Sequence, residues 1–542
     1  MKRDIEKLSK DEFDILVIGG GIHGITVARE AAKNGYKTAL IEMNDFGHST
    51  SFNSMKVIHG GLRYLQHGNL KRIRQSIRSR KIMQNVAPHL IKAVPFLVPT
   101  FGRGLKSKNI MRLALSVNDL ISFNRNYNIA FQNRIPGGYV ISREEILKLI
   151  PGINTEKFTG GAVWYEAVVQ NTERMLLEFL YEANQYDFTA ANYVVALEFI
   201  NSDDGIKEVK VKDLINSSEF NISARVFVNA VGPWFNQIQK KLEFNKPQRK
   251  LTKAVNIIVR KNFFADYSVG LEGKENFSDT EALFKRGKRL FFFVPIQNYT
   301  MIGTTYKLYD GKVNGLEITK EDINEIIEEA NYLFPSSQLT FDDVSFYHVG
   351  LVPMDEKSSA GSIQAERHST VSEYSRNLFS IKSVKYTTAP VIAEEVVKKI
   401  KKKIKPSYSY KKEVKTITKN YSGNIPQVVA ERLIKTYGSH CNKIFELINE
   451  NKSYLNLISE NPPIITAEIV YAIRNEMALT LKDVILRRTG MGMLECPSLE
   501  SIRAVASIIS QELGWDKPKE ISEINNLLQV YSLLKKNVET AC

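Results

Sequence analysis

One stretch, Phe13–Glu42 (FDILVIGGGIHGITVAREAAKNGYKTALIE), leaves this chain few choices of fold. Its apolar run Ile15–Ile18 is too short for a helix and β-branched enough for a buried strand. Gly19, Gly21 and Gly24 follow in G-x-G-x-x-G spacing, and Val27, Ala28, Ala31 and Ala32 then recur at helical intervals. Lys37–Ile41 reads as a second strand ending at Glu42. The order is strand, glycine turn, helix, strand. In such a unit Gly19 permits the tight turn, Gly21 lets backbone approach a pyrophosphate, and Gly24 lets helix and sheet pack closely. Free N–H groups at the helix start face the phosphates, and Glu42 at the strand tip can accept hydrogen bonds from a ribose.

A chain of 542 residues, 43% of them hydrophobic, can bury several cores, so two or three domains are expected. Cys441, Cys496 and Cys542 are too few and too scattered for a disulfide framework or a metal knuckle, which points to a reducing compartment. The start, MKRDIEKLSKDEF, mixes both charge signs without an apolar core and is not expected to act as a secretory signal. No apolar run reaches the roughly 18 residues of a membrane span. A formal net charge of +15 suits phosphorylated substrates, anionic lipid or nucleic acid. No lysine run interleaved with aromatics supports the last of these.

Ser49–Leu65 (STSFNSMKVIHGGLRYL) holds hydroxyl residues, then Lys56, His59-Gly60-Gly61 and Arg63-Tyr64. The paired glycines let backbone lie flat against a ligand, with Lys56 and Arg63 supplying charge nearby. Asn69–Lys81 alternates Ile73 and Ile77 with Lys71, Arg72, Arg74, Arg78, Arg80 and Lys81, an amphipathic basic helix ended by Pro88 and the Pro95/Pro99 stretch. Its charged face is either solvated or set against an anion. Phe101–Asn128 adds Arg103, Lys106, Lys108 and Arg112 around apolar residues and could rest on a membrane surface.

Farther on, Val226–Ala230 is a second fully apolar strand, leading into Val231-Gly232-Pro233-Trp234. Lys253–Val259 and Leu290–Thr305 have strand composition without helices of crossover length, which predicts an antiparallel sheet in a separate substrate domain. Leu378–Ile381 precedes Lys382–Thr388 and the helix Pro390–Ile400. Lys398–Lys415 contains nine lysines and reads as a helix end and linker. Beyond it Ile425–Tyr437, Thr466–Leu479, Thr480–Arg488 and Ser498–Leu513 are helical by spacing, with Thr480-x-x-Asp483 as a capping box.

The glycine fingerprint, HGGLRYL, VNAVGPW and EMALTLKDVILRRTG together resemble the FAD-dependent glycerol-3-phosphate dehydrogenases, from Phe13 to about Leu513. The resemblance implies an α/β fold: an FAD-binding doubly wound domain, an antiparallel-sheet substrate domain and a C-terminal helical domain. It assigns residues 1–95, 150–250 and 340–405 to the first, 96–149 and 251–339 to the second, and 411–542 to the third. The implied cofactor is FAD, bound by Gly19, Gly21, Gly24, Glu42, Thr50, Ser51, Ser54, Lys56, Gly60, Gly61, Gly232, Lys385, Thr387 and Thr388. The implied catalytic group is Arg63, Tyr64, Arg367, Lys385 and His59.

The implied reaction takes hydride from a secondary alcohol, glycerol 3-phosphate or a related anionic polyol, and passes electrons to a quinone or other acceptor. The alternative is an FAD-dependent oxidase of the amine or amino-acid type that uses oxygen. Two positions depart from the family pattern: Val352 stands where a phosphate-binding arginine is expected, and Asn256 where a histidine is expected. Ser383 and Val384 replace two glycines before Lys385. The expected partners are the alcohol, the acceptor, an anionic membrane surface and a second copy as a homodimer, with no nucleic acid. The expected location is cytoplasmic, at the inner face of the membrane.

Overall fold

The computed structural model describes the chain apart from residues 103, 154–157, 170, 243–247, 265, 278–286, 356–362, 364, 367, 409–424 and 535–542. Five parallel strands form the middle of a first sheet, in the order Leu378–Lys382, Glu219–Asn229, Glu12–Ile18, Thr38–Ile41 and Phe188–Ala191. Ile15 pairs with Val226 on one side and Thr38 on the other. Ile15 and Val17 face the helices Ile22–Lys33, Thr172–Ala183 and Ala389–Ile400. Leu16 and Ile18 face the antiparallel strands Val194–Ser202 and Gly205–Asp213. Alternate residues thus enter two different cores, and a strand buried on both faces reads in sequence as an unbroken apolar run.

The second sheet has nine strands and is mostly antiparallel. Its path is Val344–Pro353, Leu251–Val259, Tyr299–Tyr309, Gly287–Ile296, Ser268–Phe277, Ile91–Phe101, Phe158–Val169 and Val57–Ile58, with Tyr139–Ile141 beside Phe158–Val169. The helix Lys320–Leu333 covers its outer face, where Ile323, Ile326 and Ile327 share a core with Val255, Ile257 and Phe293. Three features correct the sequence reading. Phe158–Val169 and Val344–Pro353 join this sheet although both lie outside the 96–149 and 251–339 ranges. Leu290–Thr305 is not one strand but spans a hairpin that turns at Gln297, with Ile296 opposite Tyr299.

The third correction is Ile91–Phe101, a strand that runs through Pro95 and Pro99. Proline offers no ladder donor, so a strand carrying two is expected only where one edge is lightly used. Here one edge is paired along its length, with Pro95 opposite Tyr165 and Pro99 opposite Gly161, while the other meets Ser268–Phe277 at Phe96 and Leu97.

The expected linker continues past residue 408 into 409–424, outside the described residues, as does the start of the C-terminal region at 411. That region carries the helices Gln427–Tyr437, Cys441–Glu450, Thr466–Glu476, Leu499–Leu513 and Lys517–Tyr531. Thr480 and Asp483 make the expected reciprocal cap: the Asp483 N–H donates to Thr480 Oγ1 (3.2 Å) and the Thr480 N–H to Asp483 Oδ2 (3.0 Å). The turn they open, Asp483–Arg488, is π-helical rather than α-helical. It delivers two consecutive guanidiniums to Asp45, in the loop after Thr38–Ile41. Arg487 Nε donates at 2.6 Å, and Arg488 Nη1 and Nη2 at 2.8 and 2.7 Å. Asp45 is fully buried. Asp45→Ala leaves two buried cations short of a partner and should cost about 3–5 kcal/mol. Urea unfolding followed by tryptophan fluorescence measures that loss, and the C-terminal helices should be the first to come away.

Candidate active site

A cavity of about 1000 Å³ runs between the two sheets. One end is the glycine turn. Gly19 has φ +105°, which only glycine adopts without strain, and a Cβ on Gly24 would overlap the Gly19 carbonyl, so the helix Ile22–Lys33 seats directly on the turn. Gly21 lines the cavity. Glu42 accepts the Gly20 N–H (2.6 Å) on one carboxylate oxygen and the Asn44 N–H (2.8 Å) on the other, and still lines the cavity. Burial raises its pKa against these two bonds. The Ile22 N–H donates to Ser51 Oγ at 3.0 Å, tying the Ser49–Leu65 segment to the helix start.

Thr50, Ser51, Ser54, Gly61, Gly232, Thr387 and Thr388 line the same cavity. His23, on the helix that follows the turn, also lines it. Both its ring nitrogens are buried with no hydrogen-bond partner among the described residues, and burial lowers its pKa to about 4. An unpartnered buried imidazole, a backbone wall without Cβ atoms and a helix N-terminus fit a bound dinucleotide. Gly60 stands just behind the wall. Its N–H donates to Glu166 Oε2, and a Cβ there would meet the Arg80 guanidinium.

Lys56 corrects the sequence reading. Its ammonium turns away from the cavity into a fully buried pair with Glu173 Oε1 (3.1 Å) and Thr172 Oγ1 (3.2 Å). A buried lysine keeps its charge only when so partnered, and these partners lie on the helix behind. Arg80, counted with the basic surface, is likewise buried and pairs with Glu166 Oε2 at 3.4 Å.

At the other end of the cavity the turn Leu62–His67 brings Arg63 and Tyr64 to the wall. Lys385 Nζ donates to the Tyr64 hydroxyl and also lies 4.7 Å from the ring centroid. Burial lowers the Lys385 pKa from the ordinary 10.5; Tyr64 opposes this, while Arg72 and Arg63 reinforce it. The His59 backbone N–H donates to Thr387 Oγ1 at 3.2 Å, so the two predicted segments meet here. Arg367 lies outside the described residues.

Val352 and Asn256 both reach the cavity wall from the second sheet. Asn256 Oδ1 accepts the Thr304 hydroxyl at 2.6 Å, which leaves the amide N–H groups as what this side chain can offer. Sequence reasoning missed Arg72, Thr304, Tyr306 and Arg289 as wall residues. Arg72 was visible as part of a basic helix; the other three sit on strands with no local signal. Replacing Gly21 by valine puts a branched side chain on the wall, where even a Cβ stands 3.2 Å from Ser51 Oγ. Purified Gly21→Val protein should lose its dinucleotide, read as missing cofactor absorbance after gel filtration.

Comparison with known proteins agrees with this geometry. The family profile described as FAD dependent oxidoreductase matches residues 14–399, and that of the C-terminal domain of alpha-glycerophosphate oxidase matches residues 392–520. The chain is 26% identical to the glycerol-3-phosphate dehydrogenase of Synechocystis sp. over 95% of each chain. It is 30% identical to an alpha-glycerophosphate oxidase of Streptococcus pyogenes, over 75% of this chain and 64% of that one. The solved structure of the Bacillus halodurans glycerol-3-phosphate dehydrogenase complexed with FAD superposes with a TM-score of 0.73 at 25% identity, covering 98% of this chain and 97% of that chain. The cradle, the second glycine turn and the match over residues 14–399 make this chain a member of the FAD dependent oxidoreductase family, an enzyme that works with FAD.

Proposed function

We propose that this protein oxidises the secondary hydroxyl of an anionic polyol derivative related to glycerol 3-phosphate and passes the electrons to a quinone. The observation that carries the reading is the Lys385–Tyr64 pair at the end of a cavity continuous with the dinucleotide cradle. Full-length relatives named glycerol-3-phosphate dehydrogenase, and the C-terminal glycerophosphate-oxidase match, favour an alcohol over an amine. FAD, when bound, supplies the acceptor for a hydride.

The chain's own residues supply charge, orientation and a base. Arg63 and Arg72 give the pocket positive charge for an anionic group. Asn256 cannot take a proton near neutral pH, and Lys385, on the cavity wall with a lowered pKa, serves as the base. Deprotonated lysine is the active form, so kcat/KM should rise with pH and level off below lysine's ordinary 10.5. Lys385→Met should remove that rise and slow turnover by roughly 10²–10⁴-fold.

Val352 cannot donate a hydrogen bond, and one charge-assisted contact is worth about 1.5–3 kcal/mol. Val352→Arg should therefore lower the KM for glycerol 3-phosphate roughly ten- to a hundredfold. A native protein that already shows a micromolar KM would defeat this argument and leave the plain glycerol 3-phosphate reading in place.

No helix among the described residues is long and apolar enough to cross a membrane. Contact with an anionic membrane surface is supported by the net charge and by exposed cations on the basic helix Leu70–Val86. The protein should float with anionic vesicles at low salt and detach as salt shortens the Debye length. Equal flotation with neutral vesicles would make these charges a solvated surface only.

A further inference from the structure

A stripe of apolar side chains leads out of the cavity along the helix Lys108–Ile121. Ile110, Leu113 and Val117 line the cavity wall, and Leu120 continues the stripe at i, i+3, i+7, i+10 spacing. Their exposures are 41%, 61%, 37% and 75%. Leu115, across the helix from Leu113 and Val117, is 1% exposed, packs over Gly138 and also reaches the cavity wall, while the helix rests on the strands Tyr139–Ile141 and Phe158–Val169. The helix is therefore anchored through Leu115 at the inner wall and carries the exposed stripe outward from the cavity mouth. Nine of the eighteen large apolar side chains exposed among the described residues fall between Leu105 and Tyr139. Four of them share one face of the helix Lys108–Ile121, and an exposed apolar stripe that runs on from a cavity marks a binding surface rather than scattered exposure.

Two further observations say what covers it. The helix packs against Leu62–His67, the turn carrying Arg63 and Tyr64, so the stripe begins beside the cationic end of the cavity. Inside, Phe96, Trp164, Phe292 and Val352 extend the apolar wall. A ligand that fits has an anion at one end and a hydrocarbon chain at the other.

We propose that the substrate is a glycerol 3-phosphate bearing an alkyl or acyl chain on its C1 oxygen, with that chain lying on Ile110, Leu113 and Val117. This rests on the reading of the site as one that oxidises a secondary alcohol. Substitution at C1 leaves the C2 hydroxyl free. The C2–H and O–H bonds break and C2=O forms; the hydride goes to FAD and the hydroxyl proton to Lys385 and then water. The product is a 1-O-substituted dihydroxyacetone phosphate.

The test is anaerobic reduction of the holoenzyme, followed by flavin absorbance. Glycerol 3-phosphate is compared with its 1-O-ethyl and 1-O-octyl ethers below their micellar concentrations. The value of kred/Kd should rise roughly tenfold for every two methylenes the stripe covers. The double variant Leu113→Ser, Val117→Ser, altered only at exposed positions, should erase most of the ethyl-to-octyl gain. Calorimetric binding of octyl phosphate, which has no hydroxyl to oxidise, should lose affinity in the same variant. No acceptor is present, so a quinone seated on the stripe cannot produce the chain-length gain. Equal rates for glycerol 3-phosphate and the octyl ether overturn the proposal but keep the alcohol-oxidising reading, as does a gain that survives in the variant. A dimer that dissociates in the variant overturns it by giving the stripe to a second copy. Failure of every alcohol to bleach the flavin overturns both.

Discussion

Asp45 is the point on which the rest of the structure hangs. Buried without contact to water, it accepts from Arg487, from both terminal nitrogens of Arg488, and from Asn192 Nδ2 at 3.0 Å. Burial alone would raise its pKa, but the two arginines outweigh burial and hold it well below the usual carboxylate range. Because the folded value is depressed, its contribution to stability is present at neutral and mildly acidic pH and disappears only in strong acid. Around it the charges balance. Asp483 accepts from Arg487 (2.5 Å) and from the Tyr193 hydroxyl (2.7 Å), and Glu476 accepts from Arg174 (2.6 Å) and Tyr181 (2.8 Å). The C-terminal helices thus hold the loop that also shapes the cofactor cradle, since the Gly47 N–H donates to the Gly20 carbonyl at 2.9 Å.

Glu166 does the equivalent work at the other end. From a strand of the second sheet it accepts the Gly60 N–H, Arg80 and the Trp164 indole (3.2 Å), with His59 Nδ1 3.8 Å away. One carboxylate therefore fixes the turn that presents Arg63 and Tyr64. Because Glu166 belongs to the second sheet and Thr387 to the first sheet's helix start, the HGG turn joins the two sheets. Glu166 and Arg80 are both buried, so neither can leave the other without stranding a charge in a low-dielectric interior.

What the sequence disclosed followed from how local each constraint is. The glycine turn and its flanking strands were legible because the backbone itself dictates them within some thirty residues. Arg80 belongs to a charged face that the sequence leaves either solvated or set against an anion, yet its burial has a signal: it stands seven residues after Ile73 and three after Ile77, on the face those two bury. Charge type was allowed to override period. Lys56 gave no such hint, because its partners Thr172 and Glu173 are more than a hundred residues away. The membership of Phe158–Val169 in the second sheet is equally non-local. The helix Lys108–Ile121 shows the converse: its period marks an apolar face correctly, but period cannot say whether protein or ligand covers that face.

In the proposed reaction the cations around Lys385 give the pocket a response to its substrate. In the free protein Arg63 and Arg72 lower the Lys385 pKa, in the same direction as burial. This enlarges the neutral fraction, the form that can accept a proton. An anionic group arriving between these residues offsets the guanidinium charge, so the repulsion that kept Lys385 neutral weakens and its proton affinity rises. The proposed base would thus enter the complex unprotonated more often than an ordinary lysine and become a stronger base once the anion is in place. Tyr64 moderates the change, since its hydroxyl accepts from the Lys385 amine in either protonation state and holds the nitrogen in position. A neutral alcohol would leave both arginines uncompensated and Lys385 a weaker base, so in the proposed reaction the two arginines that bind the anion also discriminate in the proton-transfer step.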